Sequence, residues 1–154
     1  MTGQPVDPKA FILGVTEVFN QHDPDRAAAF YAEDAEVVNH GTGRRVVGRA
    51  AIREDLAALM AAADDLRIEK TVVVGDGDVF ADEFLLIGTH TGPLAGIPAT
   101  GRPFRLAHAA FGWVRDGRIV RHHLHWNPAD LFAQLGVVPG EAPAVPAGAG
   151  APAG

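Results

Sequence analysis

Residues 66–91 read LRIEKTVVVGDGDVFADEFLLIGTHT, and the change of rhythm at their start decides the fold class. Before Leu66 the apolar residues recur at helical spacing, whereas from Ile68 onward they alternate, as strand side chains do when one face is buried. Ile68 to Val74 and Val79 to Thr91 read as strands, with Gly75-Asp76-Gly77 as the tight turn between them. The same pattern continues toward the C-terminus through Phe104 to Val114, a second turn at Asp116-Gly117, and Arg118 to Trp126. Four consecutive strands joined mostly by tight hairpins predict an antiparallel meander. Gly92 to Gly101 is too long and glycine-rich for a tight turn and is expected to be a loop that covers a pocket mouth.

Toward the N-terminus the pattern is helical. Asp7-Pro8 supplies an N-cap and an N1 proline, and Phe11, Ile12, Val15 and Phe19 form the stripe of a helix over residues 8–21. A second short helix is expected through Ala27 to Tyr31, then a strand at Ala35 to Val38 and a turn at Gly41-Thr42-Gly43. Ile52, Leu56, Leu59 and Met60 share one face of a third helix over residues 49–63, with Asp55 off the centre of the stripe. After Trp126, Asn127-Pro128 opens a final helix that Gly136 closes. The class is therefore α+β in one domain over residues 8–139. A flexible start at residues 1–7 and a disordered Ala/Pro/Gly tail over residues 140–154 complete the chain.

Charge and composition narrow the partners. A net charge of −6 argues against nucleic acid or an anionic membrane, both of which select a basic face. The absence of cysteine removes disulfides, thiolate metal sites and a cysteine nucleophile. The start of the chain lacks the pattern of a signal peptide, and no apolar run reaches spanning length, so a cytoplasmic protein is expected.

Four motifs in order add a resemblance. Gly88-Thr89-His90-Thr91-Gly92, Gly96-Ile97-Pro98-Ala99-Thr100-Gly101-Arg102, Asp116-Gly117-Arg118-Ile119 and Gln134-Leu135-Gly136 resemble the signature run of SnoaL-like polyketide and ester cyclases. The resemblance covers Phe11 to Pro139. It implies a nuclear transport factor 2-like cone, a curved antiparallel sheet wrapped around three N-terminal helices with an internal pocket. It also implies a homodimer formed through the outer sheet face, and an apolar small-molecule substrate turned over without a cofactor.

The resemblance also implies where chemistry should be, and the expected acid is missing. The cyclases' catalytic aspartate falls at Leu124 and its assisting histidine at Ala110, while the alternative aspartate after a strand-end tryptophan falls at Asn127. Strand alternation then places His122, Leu124 and Trp126 on the pocket face, with His108 beside them on the neighbouring strand. His108 and His122 are the acid/base candidates, because an imidazole exchanges a proton near neutral pH. Asp55 matches a pocket position of the cyclases, where an apolar cavity would suit it to proton transfer. Phe19 matches a pocket-lining position, and Asn39 and His40 match the region where steroid-isomerase-like relatives place their base. Leu124 and Trp126 complete the substrate-binding set. No metal is expected; the alternative is a site at His123-x-His125 completed by His90 or a carboxylate. Arg44-Arg45 is expected to be a solvated hairpin.

Three functions are compatible with these residues. They are a cofactor-independent cyclase or isomerase acting on a polyketide-like polycyclic molecule, a cofactorless hydroxylase of the same family, and a non-catalytic binding or accessory protein.

Overall fold

The computed structural model describes residues 6–138. The expected disordered tail, the end of the domain at residue 139 and most of the flexible start lie outside the described residues. Asp7 belongs to the fold: its carboxylate accepts from the Lys9 amide at 3.0 Å and caps α1 (Pro8–Phe19), with Pro8 at the first position.

The next helix is displaced from its expected place. Asp23 accepts from the Arg26 amide, so α2 (Pro24–Ala28) starts earlier than Ala27 and is finished before Tyr31. Tyr31 instead opens β1 (Tyr31–Asn39), which turns back into β2 (Arg44–Val47). α3 (Arg49–Ala62) then crosses to the meander of β3 (Arg67–Asp76), β4 (Val79–Thr89), β5 (Pro103–Arg115) and β6 (Arg118–Trp126). α4 (Pro128–Leu135) is capped by Asn127 and closed by Gly136 at φ 70°.

The six strands form one curved sheet in the order β2-β1-β6-β5-β4-β3, so the meander is present as expected. β1 joins its far side by pairing parallel to β6, with Val37 opposite His122 and Asn39 opposite Leu124. On β4 and β5 burial alternates strictly, which puts Phe80, Asp82, Phe84 and Leu86 with Leu106, His108, Ala110 and Gly112 on the inner face. Two hydrophobic clusters fill that concave side. One gathers Ile12, Val15, Tyr31, Phe80 and Ile119; the other gathers Phe84, Phe104, Leu106, Leu131 and Leu135. Among the described residues no helix is long and apolar enough to cross a membrane.

β3 breaks the simple alternation. Lys70 pairs with Phe84 and Val72 with Glu83, so Thr71 is an extra residue in the ladder. Lys70 is inside, opposite Phe84, and the bulge after it turns Val72 and Val74 out, where they stand half exposed.

Candidate functional site

A cavity of about 340 Å³ opens between the concave sheet, α3, α4 and the loop after β4. That lies at the small end of the range for small-molecule pockets, about 300–1,000 Å³. Leu56, Leu59, Leu86, Phe104 and Leu131 make most of the wall apolar, and Pro93, Leu94 and Ala95 bring the expected loop to its mouth.

The polar groups on this wall are few. His108 stands in a column of parallel rings, with centroids 5.0 Å from Phe84 and 5.3 Å from Trp126. Its Nδ1 lies 3.1 Å from the Leu106 carbonyl. A carbonyl only accepts, so Nδ1 carries the hydrogen and Nε2 is left as the basic nitrogen. Burial holds the imidazole below its ordinary pKa, since the charged form would lose its hydration; the Leu106 carbonyl opposes this and Lys70 adds to it.

Trp126 donates from Nε1 to Asn39 Oδ1 at 2.8 Å, and the Thr42 amide donates to the same oxygen at 3.2 Å. Asn39 therefore has only its amide hydrogens left for a ligand carbonyl. Gly41 makes this contact possible, because a Cβ there would come within 2.6 Å of the Trp126 ring nitrogen.

Asp55 also lines the cavity, but not as the lone carboxylate expected. Arg44 reaches from β2 and donates from Nη2 to Asp55 Oδ1 at 2.6 Å, and both lie on the wall. The expectation of a solvated Arg44 fails because the β1–β2 turn folds this residue over α3, while Arg45 does pair at the surface with Glu36. The Arg44 Nε is buried and makes no hydrogen bond.

The remaining candidates are placed differently. His122 is on the cavity face by register, yet it is not among the residues that line the cavity. Its ring sits edge-on to Phe80, and its Nδ1 is hydrogen-bonded to Tyr31 Oη at 2.9 Å. Tyr31, not His122, brings this pair to the cavity. Burial pushes the Tyr31 hydroxyl well above its ordinary pKa, with Asp82 adding to it, and lowers His122 to about 3, helped by the charges of Lys70 and His123. Phe19 is buried among Ala27, Met60 and Leu66 and does not reach the cavity, because α1 packs against α2, β3 and β4. His40 follows Asn39 on the strand and so points the other way; it is exposed and stacks on His125 with centroids 4.3 Å apart. Leu124, Trp126, Asn39, His108 and Asp55 are thus brought together; His122, Phe19 and His40 are not.

The alternative metal site does not assemble. His123 is bound to His40 at 3.3 Å, while His90 is fully buried with Nδ1 3.0 Å from Thr100 Oγ1 inside the β4–β5 loop. Among the described residues no three His, Asp or Glu side chains stand together as metal ligands.

Residues 10–135 match the family model of the SnoaL-like polyketide cyclases, which spans this sheet, its helices and every cavity residue above. The chain belongs to that family. This SnoaL-like protein is 31% identical to IdmH, a candidate polyketide cyclase of Streptomyces antibioticus, with 84% of this chain and 99% of that one covered at a TM-score of 0.72. It is 30% identical to a candidate polyketide cyclase of Xanthomonas campestris, covering 82% and 94% of the two chains at 0.70. AclR, a candidate hydroxylase of Streptomyces galilaeus, has the same fold at 22% identity and a TM-score of 0.75, covering 86% of this chain and 82% of that one. A search of curated proteins finds no match. Set against the family's expected acid, the cavity wall of this SnoaL-like protein has an aliphatic Leu124 and, beside it, the basic nitrogen of His108.

Proposed function

We propose that this protein is a cofactor-independent cyclase or isomerase that performs acid/base chemistry on a polyketide-like, polycyclic ketone. The observation that carries this reading is the fixed tautomer of His108, whose Nε2 is free in an apolar cavity. In the proposed reaction His108 Nε2 takes a proton from a carbon beside a carbonyl, and the electron pair moves onto the carbonyl oxygen. Tyr31 Oη, accepting from His122 Nδ1–H, has its own hydrogen free to donate to that enolate oxygen, and the Arg44 guanidinium places positive charge on the cavity wall. The enolate carbon then either attacks a second carbonyl of the same molecule, whose alkoxide recovers the proton from His108, or is reprotonated at another carbon. Either outcome is a net isomerisation.

Asp55 serves in this reading as the partner that orients Arg44, and Asn39 and Trp126 position the ring system. His122 acts through the Tyr31 hydroxyl. A homodimer formed through the outer face of the sheet remains part of the proposal, and light scattering of the purified protein tests it. The test of the function is a crystal structure with a bound aromatic polyketide: His108 Nε2 and Tyr31 Oη within hydrogen-bond distance of its oxygens and acidic carbon supports the enzyme. A ligand touched only by apolar groups and Asn39 favours the binding protein.

Leu124 gives the hydroxylase reading its support, because an apolar group stands where the family's acid is expected. Oxygen uptake with a hydroxyaromatic substrate distinguishes it from the cyclase.

A further inference from the structure

Among the described residues a buried pair of charges lies outside the cavity lining. Asp82 on β4 and Lys70 on β3 form an ion pair whose side chains are only 1% and 11% exposed, and Asp82 Oδ1 has no hydrogen-bond partner. Such a pair is a weak device for stability, since apolar residues of similar volume commonly serve as well or better. Its surroundings point to another role. The Lys70 ammonium lies 4.3 Å from the centroid of Phe84, and Phe84 is stacked on His108, which is stacked on Trp126. One column thus runs from a buried cation to the cavity wall. Lys70 shares the inner face with Ile68, in register with Phe84 and Leu86, beneath that column.

Asp82 has an equally specific position. It pairs with Ala110, which pairs with Leu124, so the three form one row across the sheet. The neighbouring rows carry Phe84, His108 and Trp126 on one side, and Phe80, Gly112 and His122 on the other. The row from which the family's acid and its assisting histidine are missing therefore still ends in a buried carboxylate.

We propose that Lys70 and Asp82 are a positioning pair for the proton-bearing groups of the cavity, Lys70 acting on His108 through the Phe84 ring and on His122, and Asp82 acting on Tyr31. A cation beneath the column disfavours a second positive charge on either imidazole, and an anion in the row disfavours a phenolate. The pair thereby keeps His108 a free base and Tyr31 a hydrogen-bond donor. This deepens the acid/base reading and rests on it for its purpose, but not for its test.

Other charges meet these groups too. His123 adjoins His122 on β6, and Arg44 from β2 and Asp55 from α3 share the cavity wall with His108. α4 brings Pro128, Leu131 and Phe132 to the cavity, and the buried face of α1 carries Pro8, Ile12, Val15, Thr16 and Phe19, none of them titratable.

The test is an NMR titration of the histidine ring carbons in the full chain. Lys70→Gln keeps a donor for Asp82 while removing the charge, and the double variant Lys70→Met/Asp82→Leu removes the pair. In both, the midpoint of His108 is expected to rise toward the ordinary imidazole value of about 6.5. An unchanged midpoint in Lys70→Gln, the variant that retains the buried hydrogen bond, overturns the proposal even if the double variant fails to fold. Solvent-deuterium exchange into 2-tetralone, run alongside at about one pH unit below the ordinary imidazole value, is expected to slow by up to about tenfold in Lys70→Gln, as the raised midpoint protonates His108. Shifted midpoints in a protein whose wild type exchanges no deuterium would leave the pair in place and remove the function proposed above.

Discussion

His108 and Leu106 lie two residues apart on β5, and the 3.1 Å contact from the ring Nδ1 to the Leu106 carbonyl turns the basic nitrogen of His108 away from the backbone. Burial keeps this imidazole below its ordinary pKa, so the base form predominates at neutral pH. The rate of proton abstraction is therefore expected to fall toward acid pH with a midpoint below the ordinary imidazole value of about 6.5. A pH–rate profile with a fall already above neutrality would mean that another group is the base.

His122 makes a separate prediction for stability. Its folded pKa, about 3, lies below the ordinary imidazole value, so the unfolded chain binds the extra proton first as pH falls. The contribution is whole above pH ~6.5 and is lost progressively toward pH ~3, with a limiting slope of about 1.4 kcal/mol per pH unit. Urea unfolding of the wild type and of His122→Asn should diverge in pH dependence within that window. Parallel curves would mean that the ring is not held neutral.

Trp126→Phe keeps a ring against His108 but removes the donor to Asn39 Oδ1. Because the Thr42 amide still meets that oxygen, the cost should be modest, about 1 kcal/mol in urea unfolding. The larger effect is expected on ligand affinity, since Asn39 is then held by the Thr42 amide alone. Unchanged affinity would remove Asn39 from the binding set.

Gly112 lets the tip of the Phe80 ring press against β5 beside His122: a Cβ at this position would come within 1.9 Å of the ring. Gly112→Ala should destabilise the fold by about 1–3 kcal/mol and move the His122 resonances, because Phe80 has to shift. Wild-type stability in this variant would contradict the packing described.

Much of the architecture is legible because its signals are local. Asp7-Pro8, Asn127-Pro128 and Gly136 mark helix ends by capping chemistry, and the alternation on β4 and β5 follows the inner face residue by residue. The site is less legible because its key contacts are long-range. Tyr31 meets His122 across 91 positions, through a parallel pairing of β1 with β6 that no hairpin announces. Arg44 reads as a surface residue until the hairpin is folded onto α3 and Asp55. Lys70 and Asp82 carry no motif, and the bulge at Thr71 changes the parity of β3, so Val72 and Val74 point outward instead of sharing the inner face with Lys70. The resemblance groups His40 with Asn39, yet the residue directly after Asn39 at the end of β1 turns to the opposite face.

The claim that a neutral His108 is the base of an acid/base enzyme is tested most directly by deuterium exchange. 2-Tetralone, a bicyclic ketone with acidic hydrogens beside its carbonyl, is incubated in deuterium oxide with the wild type and with His108→Ala, and the loss of its α-proton signal is followed by NMR. The account predicts enzyme-dependent exchange that falls at least about a hundredfold in His108→Ala, within the range for loss of a general base. Equal exchange with the two proteins would contradict it.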